Sequence, residues 1–324
     1  MIATSTARLS RADDPIGETA ILTHAHRPRD TFWAEAFAIH GSVAPVVAYN
    51  TLLFTLLALL VYLLDEATHW INLGVAVAPY EVAGAALGLV LVLRTNAGYD
   101  RWWEGRRLWG GIVNQSRTLA TSALSYGPDD PRWRDELVRW LASYAHVSRH
   151  TLRGERDLPS VAALIGPEAA ARIAAARHMP TAVSLEIAAL LRAGVERGEA
   201  HSLAFLPAEE ARNQLLDHIG GCERITKSPL PRVYGVEIRR SIFLFLATLP
   251  FALLPRVQWL TPFATLLIAY PILALDQIGV SLQNPFDPDD LGALPLDEIC
   301  ASIEAELLAL SAAAPSAPRG GPIS

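Results

Sequence analysis

Apolar positions gather in blocks along this chain. Residues 43–64, VAPVVAYNTLLFTLLALLVYLL, run without a charge, long enough to span a bilayer as one helix. Shorter blocks follow at 82–93, 241–254 (SIFLFLATLPFALL) and 259–275 (WLTPFATLLIAYPILAL). Blocks of that length also occur as buried helices of soluble proteins. Here they pair into hairpins through short turns at 65–81 and 255–258, and that pairing favours four membrane helices, at about 43–64, 79–95, 240–255 and 259–277.

Charge orients them. The 65–81 turn carries no Lys or Arg, and the 255–258 turn only Arg256. Arg27 and Arg29 precede the first block, Arg94, Arg101, Arg106 and Arg107 follow the second, and Arg232, Arg239 and Arg240 precede the third. The positive-inside rule puts both turns outside, and both termini and a region of about 96–239 in the cytoplasm. The polar first 30 residues lack the apolar core of a signal peptide. A multi-pass protein of the inner (plasma) membrane is expected.

Between the second and third blocks the periodicity changes to that of amphipathic soluble helices. In PRWRDELVRWLASYAHVSRH (131–150), Trp133, Leu137, Trp140, Leu141, Tyr144 and Val147 share one face. In 207–225, Leu215, Ile219 and Cys222 form one stripe. The SPLP run at 228–231 reads as a stiff joint before the third block. No strand-like alternation is present, so the fold class is all-α. The Ala- and Pro-rich tail, 311–324, is expected to be disordered.

The bulk numbers agree: the 324 residues are 51% hydrophobic and carry a net charge of −6. That excludes nothing-but-soluble and gives no footing for nucleic-acid binding. Two cysteines make neither a disulfide framework nor a zinc site. His146 and His150 stand at i, i+4, but no Glu follows the first and no third ligand is evident, so both read as structural. No nucleophile elbow or phosphate loop occurs, and no enzyme and no cofactor are expected.

The second block is the most informative. Gly84 and Gly88 have the spacing that lets helices approach closely in lipid. Ala85, Leu89 and Leu93 form one drifting stripe, which is either packing or the wall of a pore shared among subunits. Without an intervening proline the block runs into RTNAGYDRWWEGRRLWG (94–110). There Arg94, Arg101, Trp102, Trp103 and Arg106 read as a collar at the cytoplasmic membrane surface, or as a contact between subunits. Arg101–Glu104 and Glu104–Arg107 have ion-pair spacing.

That motif resembles the signature of the bestrophin family. WAEAFAIHGSVAPVV (33–47), GGCERITKSPLP (220–231), TPFATLLIAY (261–270) and NPFDPDDLGALPLDEIC (284–300) match bacterial members in the same order. The resemblance covers roughly 33–310, within an expected channel domain of 31–310. It implies a homopentameric ion channel, each subunit giving four membrane helices and a helical cytoplasmic domain. It puts a hydrophobic neck at Ala85, Leu89 and Leu93, and a second, cytoplasmic constriction at Leu203. Ala85 departs from the bulkier residue usual there and leaves the outer ring wider. Animal members bind calcium beyond NPF through carboxylates five and eight residues after the Asn. Here those positions are Asp289 and Gly292, so Asp289 is at most the remnant of a calcium site, which wants six to eight oxygens.

Apolar rings discriminate ion sign weakly, so selectivity rests on vestibule charges and helix dipoles. The resemblance implies a chloride channel, with a sodium channel of the same fold as the alternative. A membrane-anchored scaffold and a secondary transporter are the other readings. Against the transporter, ionisable residues are absent from the cores of the first three blocks, and Asp276 lies at the end of the fourth.

Overall fold

The computed structural model describes residues 32–39, 41–68, 74–196 and 202–313, and every described helix and turn fits the all-α expectation, with no strand among them. Two compact units are distinguished, residues 1–42 and 43–324. In the first, helix α1 (Phe32–Ala36) stacks Trp33 on Phe37, ring centroids 6.1 Å apart. The expected 1–30 segment lies outside the described residues.

The second unit holds ten helices among the described residues: α2 (Ala44–Thr68), α3 (Ala78–Tyr126), α4 (Pro131–Arg153), α5 (Pro159–Ile165), α6 (Pro167–Ala175), α7 (Met179–Glu196), α8 (Leu206–Lys227), α9 (Arg232–Val257), α10 (Thr261–Ser281) and α11 (Leu296–Ala313). Short 3-10 turns at Ser202–Phe205 and Gln258–Leu260 precede α8 and α10. Proline opens the first turn of α3, α4, α5, α6, α8 and α10, where a missing N–H costs nothing. The ends of α4 are fixed by side chain and backbone. Asp130 accepts from the Arg132 N–H at 2.9 Å, and Gly154, at φ 72°, returns its N–H to the His150 and Thr151 carbonyls.

Three stretches are long and apolar enough to cross a membrane: Ala44–Thr68, Ala78–Tyr126 and Arg232–Ser281. The last contains α9 and α10, folded back on one another through the 258–260 turn. The antiparallel register is set by Arg239, early in α9, reaching Asp276, late in α10. The break therefore falls after 257 rather than over 255–258, and Gln258 absorbs it at φ 49°.

Helix α3 alters the expected division most. It runs unbroken for 49 residues, from the apolar block through the Arg/Trp motif to Tyr126. The apolar block and the cytoplasmic region are thus parts of one rod. Its first half joins a small core with Phe54 of α2, Ile238, Ile242 and Leu246 of α9 and Ala269 of α10. Its second half enters a larger core with α4–α8 and α11. The six apolar residues anticipated on one face of α4 are all buried, as are Leu215, Ile219 and Cys222. The 228–231 run joins α8 to α9. Helix α11 continues to Ala313, three residues into the expected disordered tail; the remainder of that tail is outside the described residues.

Candidate functional site

The first half of α3 is only partly used by the packing of its own chain. Leu87 and Leu91 turn inward and are buried, whereas Ala85, Leu89 and Leu93 are exposed, Leu89 by 62% and Leu93 by 55%. Burying a leucine stabilises a structure by about 1.5–3 kcal/mol, so an exposed leucine stripe calls for another occupant: lipid, a neighbouring subunit or an ion path. The stripe goes on at spacings of three and four through Asn96, Asp100, Trp103 and Arg107, all exposed. Gly84 lets α9 in, since a Cβ there would come 3.3 Å from the Phe245 ring; a Cβ on Gly88 would meet nothing within 4 Å.

The collar divides. Trp103 and Arg106 are exposed. Arg94, Arg101 and Trp102 instead reach inward, against the expectation that they face the membrane surface. Arg94 is 3% exposed, with Nη1 2.5 Å from Asp276 Oδ1; Arg239 Nε donates to the other carboxylate oxygen at 3.1 Å. Arg101 gives Nε to the Gln283 carbonyl and its two terminal nitrogens to the carbonyls of Ser228 and Ile225, at 3.1, 2.9 and 2.6 Å. One guanidinium thereby ties the ends of α8 and α10 to α3, using the fork geometry that lysine lacks. Trp102 Nε1 donates to the Gly292 carbonyl at 2.7 Å. Glu104 accepts from Arg224 of α8 at 2.5 Å, in place of the ion pairs expected within α3.

The glycines of the motif explain its close packing. A Cβ on Gly98 would come 3.0 Å from the Gly279 carbonyl oxygen, and one on Gly105 would come 2.7 Å from Pro285 Cγ. These two glycines, seven residues apart on one face, admit α10 and the NPF segment against α3. Neither was singled out from the sequence, because their partners lie more than 170 positions away. The motif's seven-residue glycine spacing was the available signal.

The loop carrying Asp289 is built around local turns. The Asp287 carboxylate accepts the Asp289 N–H at 3.1 Å, and Leu294 donates to the Pro285 carbonyl at 2.7 Å. Gly292 is packed: a Cβ there would lie 2.9 Å from the Ser281 carbonyl oxygen. A side chain at 292 would require that carbonyl to shift. Among the described residues no three His, Cys, Asp or Glu side chains gather into a metal-sized group.

Leu203 sits in the 3-10 turn before α8 and is 63% exposed. His146 and His150 are buried on α4. His146 Nε2 meets Glu304 of α11 at 2.7 Å, and His150 Nδ1 meets Glu155 at 2.6 Å. On the same helix Arg149 and Arg153 both bind Asp297 of α11. Burial holds both imidazoles below their ordinary value, outweighing the carboxylates beside them. Cys222 and Cys300 are buried thiols, each pushed up to about 12 chiefly by desolvation.

Comparison with known proteins agrees with this architecture. The sequence profile described as Bacterial/Fungal Bestrophin protein matches residues 24–309. The voltage-dependent anion channel-forming protein YneE of Escherichia coli O157:H7 is 31% identical over 286 residues, covering 88% of this chain and 93% of its own. The voltage-dependent anion channel-forming protein RSc3414 of Ralstonia nicotianae is 31% identical over 268 residues, covering 82% and 87%. A crystal structure of a bacterial bestrophin homologue from Klebsiella pneumoniae superposes with a TM-score of 0.77 at 26% identity, covering 83% of this chain and 100% of that one.

Proposed function

Because the chain belongs to the bacterial and fungal bestrophin family, we propose that it is a membrane ion channel rather than an enzyme. Five copies, each with four membrane helices (α2, the first half of α3, α9 and α10), surround a central path. Ala85, Leu89 and Leu93 line a hydrophobic neck that gates by dewetting, and Leu203 forms a second constriction in the cytoplasmic part. Both termini are cytoplasmic, in the inner membrane, with lipid and the other subunits as partners. The observation that carries this reading is the α3 stripe: three apolar positions exposed on the face opposite the buried Leu87 and Leu91.

The permeant ion is a monovalent anion such as chloride, on the strength of relatives named as anion channel-forming proteins. A sodium-conducting channel of the same fold is favoured by one feature: Asp100 is the first acid on the stripe beyond the neck, and it is exposed. A ring of such carboxylates attracts cations. Purified protein in a planar bilayer under a sodium chloride gradient tests both. Anion conduction moves the reversal potential toward that of chloride, cation conduction toward that of sodium. A silent bilayer together with a mass other than five subunits overturns the channel.

A further inference from the structure

Beside Arg94 lies a cleft of about 350 Å³ between α3, the start of α9 and the end of α10. We propose that it binds the phosphate of an anionic lipid headgroup. The inference rests on the membrane placement of α9 but not on ion conduction.

The charge in the cleft is unbalanced. Arg94, Arg232 and Arg239 line it and no carboxylate does; Asp276, outside the lining, is shared between Arg94 and Arg239. Glu237, the acid of this stretch of α9, is held by Arg240 at 2.7 Å. Arg232 has no ion pair among the described residues. Arg94 is fully desolvated, yet its Nε finds no acceptor, and a buried donor of that kind is costly to leave unmade. Helix α9 starts at Arg232 with no side-chain cap, so its first N–H groups and the positive end of its dipole add to the same place. Gly235 keeps the floor open: a Cβ there would approach only Arg94 Nη2, at 4.0 Å.

The surroundings indicate where the phosphate comes from. Arg232, Val236, Arg239 and Phe243 follow one another along one face of α9. Phe243, 58% exposed, lies near the start of the 241–254 apolar block. The cleft thus sits at the polar edge of a membrane helix with apolar surface leading away from it. Basic pockets so placed on the cytoplasmic side suit lipid headgroups.

The test is native mass spectrometry of the full chain in detergent, titrated with phosphatidylglycerol or with phosphatidylcholine. Preferential retention of phosphatidylglycerol is expected. The double variant Arg232→Gln/Arg239→Gln, at two exposed side chains, should weaken that retention by at least about tenfold, the scale of losing a charge-assisted bond. Gly235→Leu, which fills the cleft and leaves every arginine in place, should weaken it similarly. Inorganic phosphate is titrated in parallel. Binding of phosphate that depends on the same residues, without retention of phosphatidylglycerol over phosphatidylcholine, supports the phosphate site and assigns it a soluble ligand. Equal retention of both lipids with no response to phosphate, or variants that bind as the parent does, overturns the proposal. A channel that conducts normally in either case leaves the functional reading intact.

Discussion

Removing one partner of the Arg94–Asp276 pair should cost far more than removing both. The two groups lie 2.5 Å apart and are 3% and 9% exposed at the side chain. At an effective dielectric constant of about 20, charges some 4 Å apart attract by about 4 kcal/mol. Desolvation of the two ions offsets a comparable amount, so the intact pair contributes little net stability. A single substitution strands the other charge in the interior. Asp276→Leu leaves Arg94 buried without its counter-charge, and Arg94→Met leaves Asp276 with only Arg239, whose side chain is 58% exposed and can swing to water. Each is expected to lose about 3–5 kcal/mol, the cost of an uncompensated buried charge. The double variant Arg94→Met/Asp276→Leu should return to within about 1–2 kcal/mol of the parent, giving strong positive coupling. Reversible unfolding of the full chain in mixed detergent, titrated with a denaturing detergent, reads all four corners of the cycle. Single variants that lose less than about 1 kcal/mol, or strictly additive losses, would refute the reasoning.

Three further outcomes are expected. Gly105→Ala forces a Cβ to 2.7 Å from Pro285 Cγ and 3.1 Å from Phe286; it should lose about 1–3 kcal/mol by the same assay, whereas Gly220→Ala, with nothing within 4 Å, should lose none. Thermal stability should fall between pH 7.5 and 5.5. His146 and His150 sit below their ordinary value when folded, so the unfolded chain binds more protons as pH drops through about 6.5. The facing groups are Glu304, Glu155, Asp297 and Arg149; a His146→Gln/His150→Gln variant should flatten the slope, and a rise in stability on acidification would contradict the assignment. Finally, Leu93→Ala should raise single-channel conductance more than Ala85→Gly, because in the proposed neck the leucine is the larger apolar group; equal effects would remove Leu93 from that neck.

Much of the fold could be read in advance because it depends on local periodicity. The α4 face, the α8 stripe and the apolar blocks are repeats of three and four that any neighbour would bury. The contacts of the collar are not legible where the partner is distant in sequence. Arg94 looks like a membrane-surface cation until Asp276 is brought to it, and Arg101 looks like half of an ion pair with Glu104 until the ends of α8 and α10 offer three carbonyls. Hydropathy also divides α3 at Arg94, where the helix does not divide, because the composition changes while the backbone hydrogen bonds continue. For Ala85, Leu89 and Leu93 the stripe is legible from spacing, but its role is not: the single chain leaves that face exposed.

The account stands or falls on which face of α3 meets the ion path. Cysteines placed singly at positions 85, 87, 89, 91 and 93 can be challenged with a charged, water-soluble thiol reagent during bilayer recording. The native thiols form a quiet background, since Cys222 and Cys300 are buried and held protonated, with values pushed up to about 12. The prediction is that Ala85→Cys, Leu89→Cys and Leu93→Cys channels change conductance on modification, while Leu87→Cys and Leu91→Cys do not. Modification that acts through 87 and 91 instead, or through none of the five, contradicts a neck on this stripe.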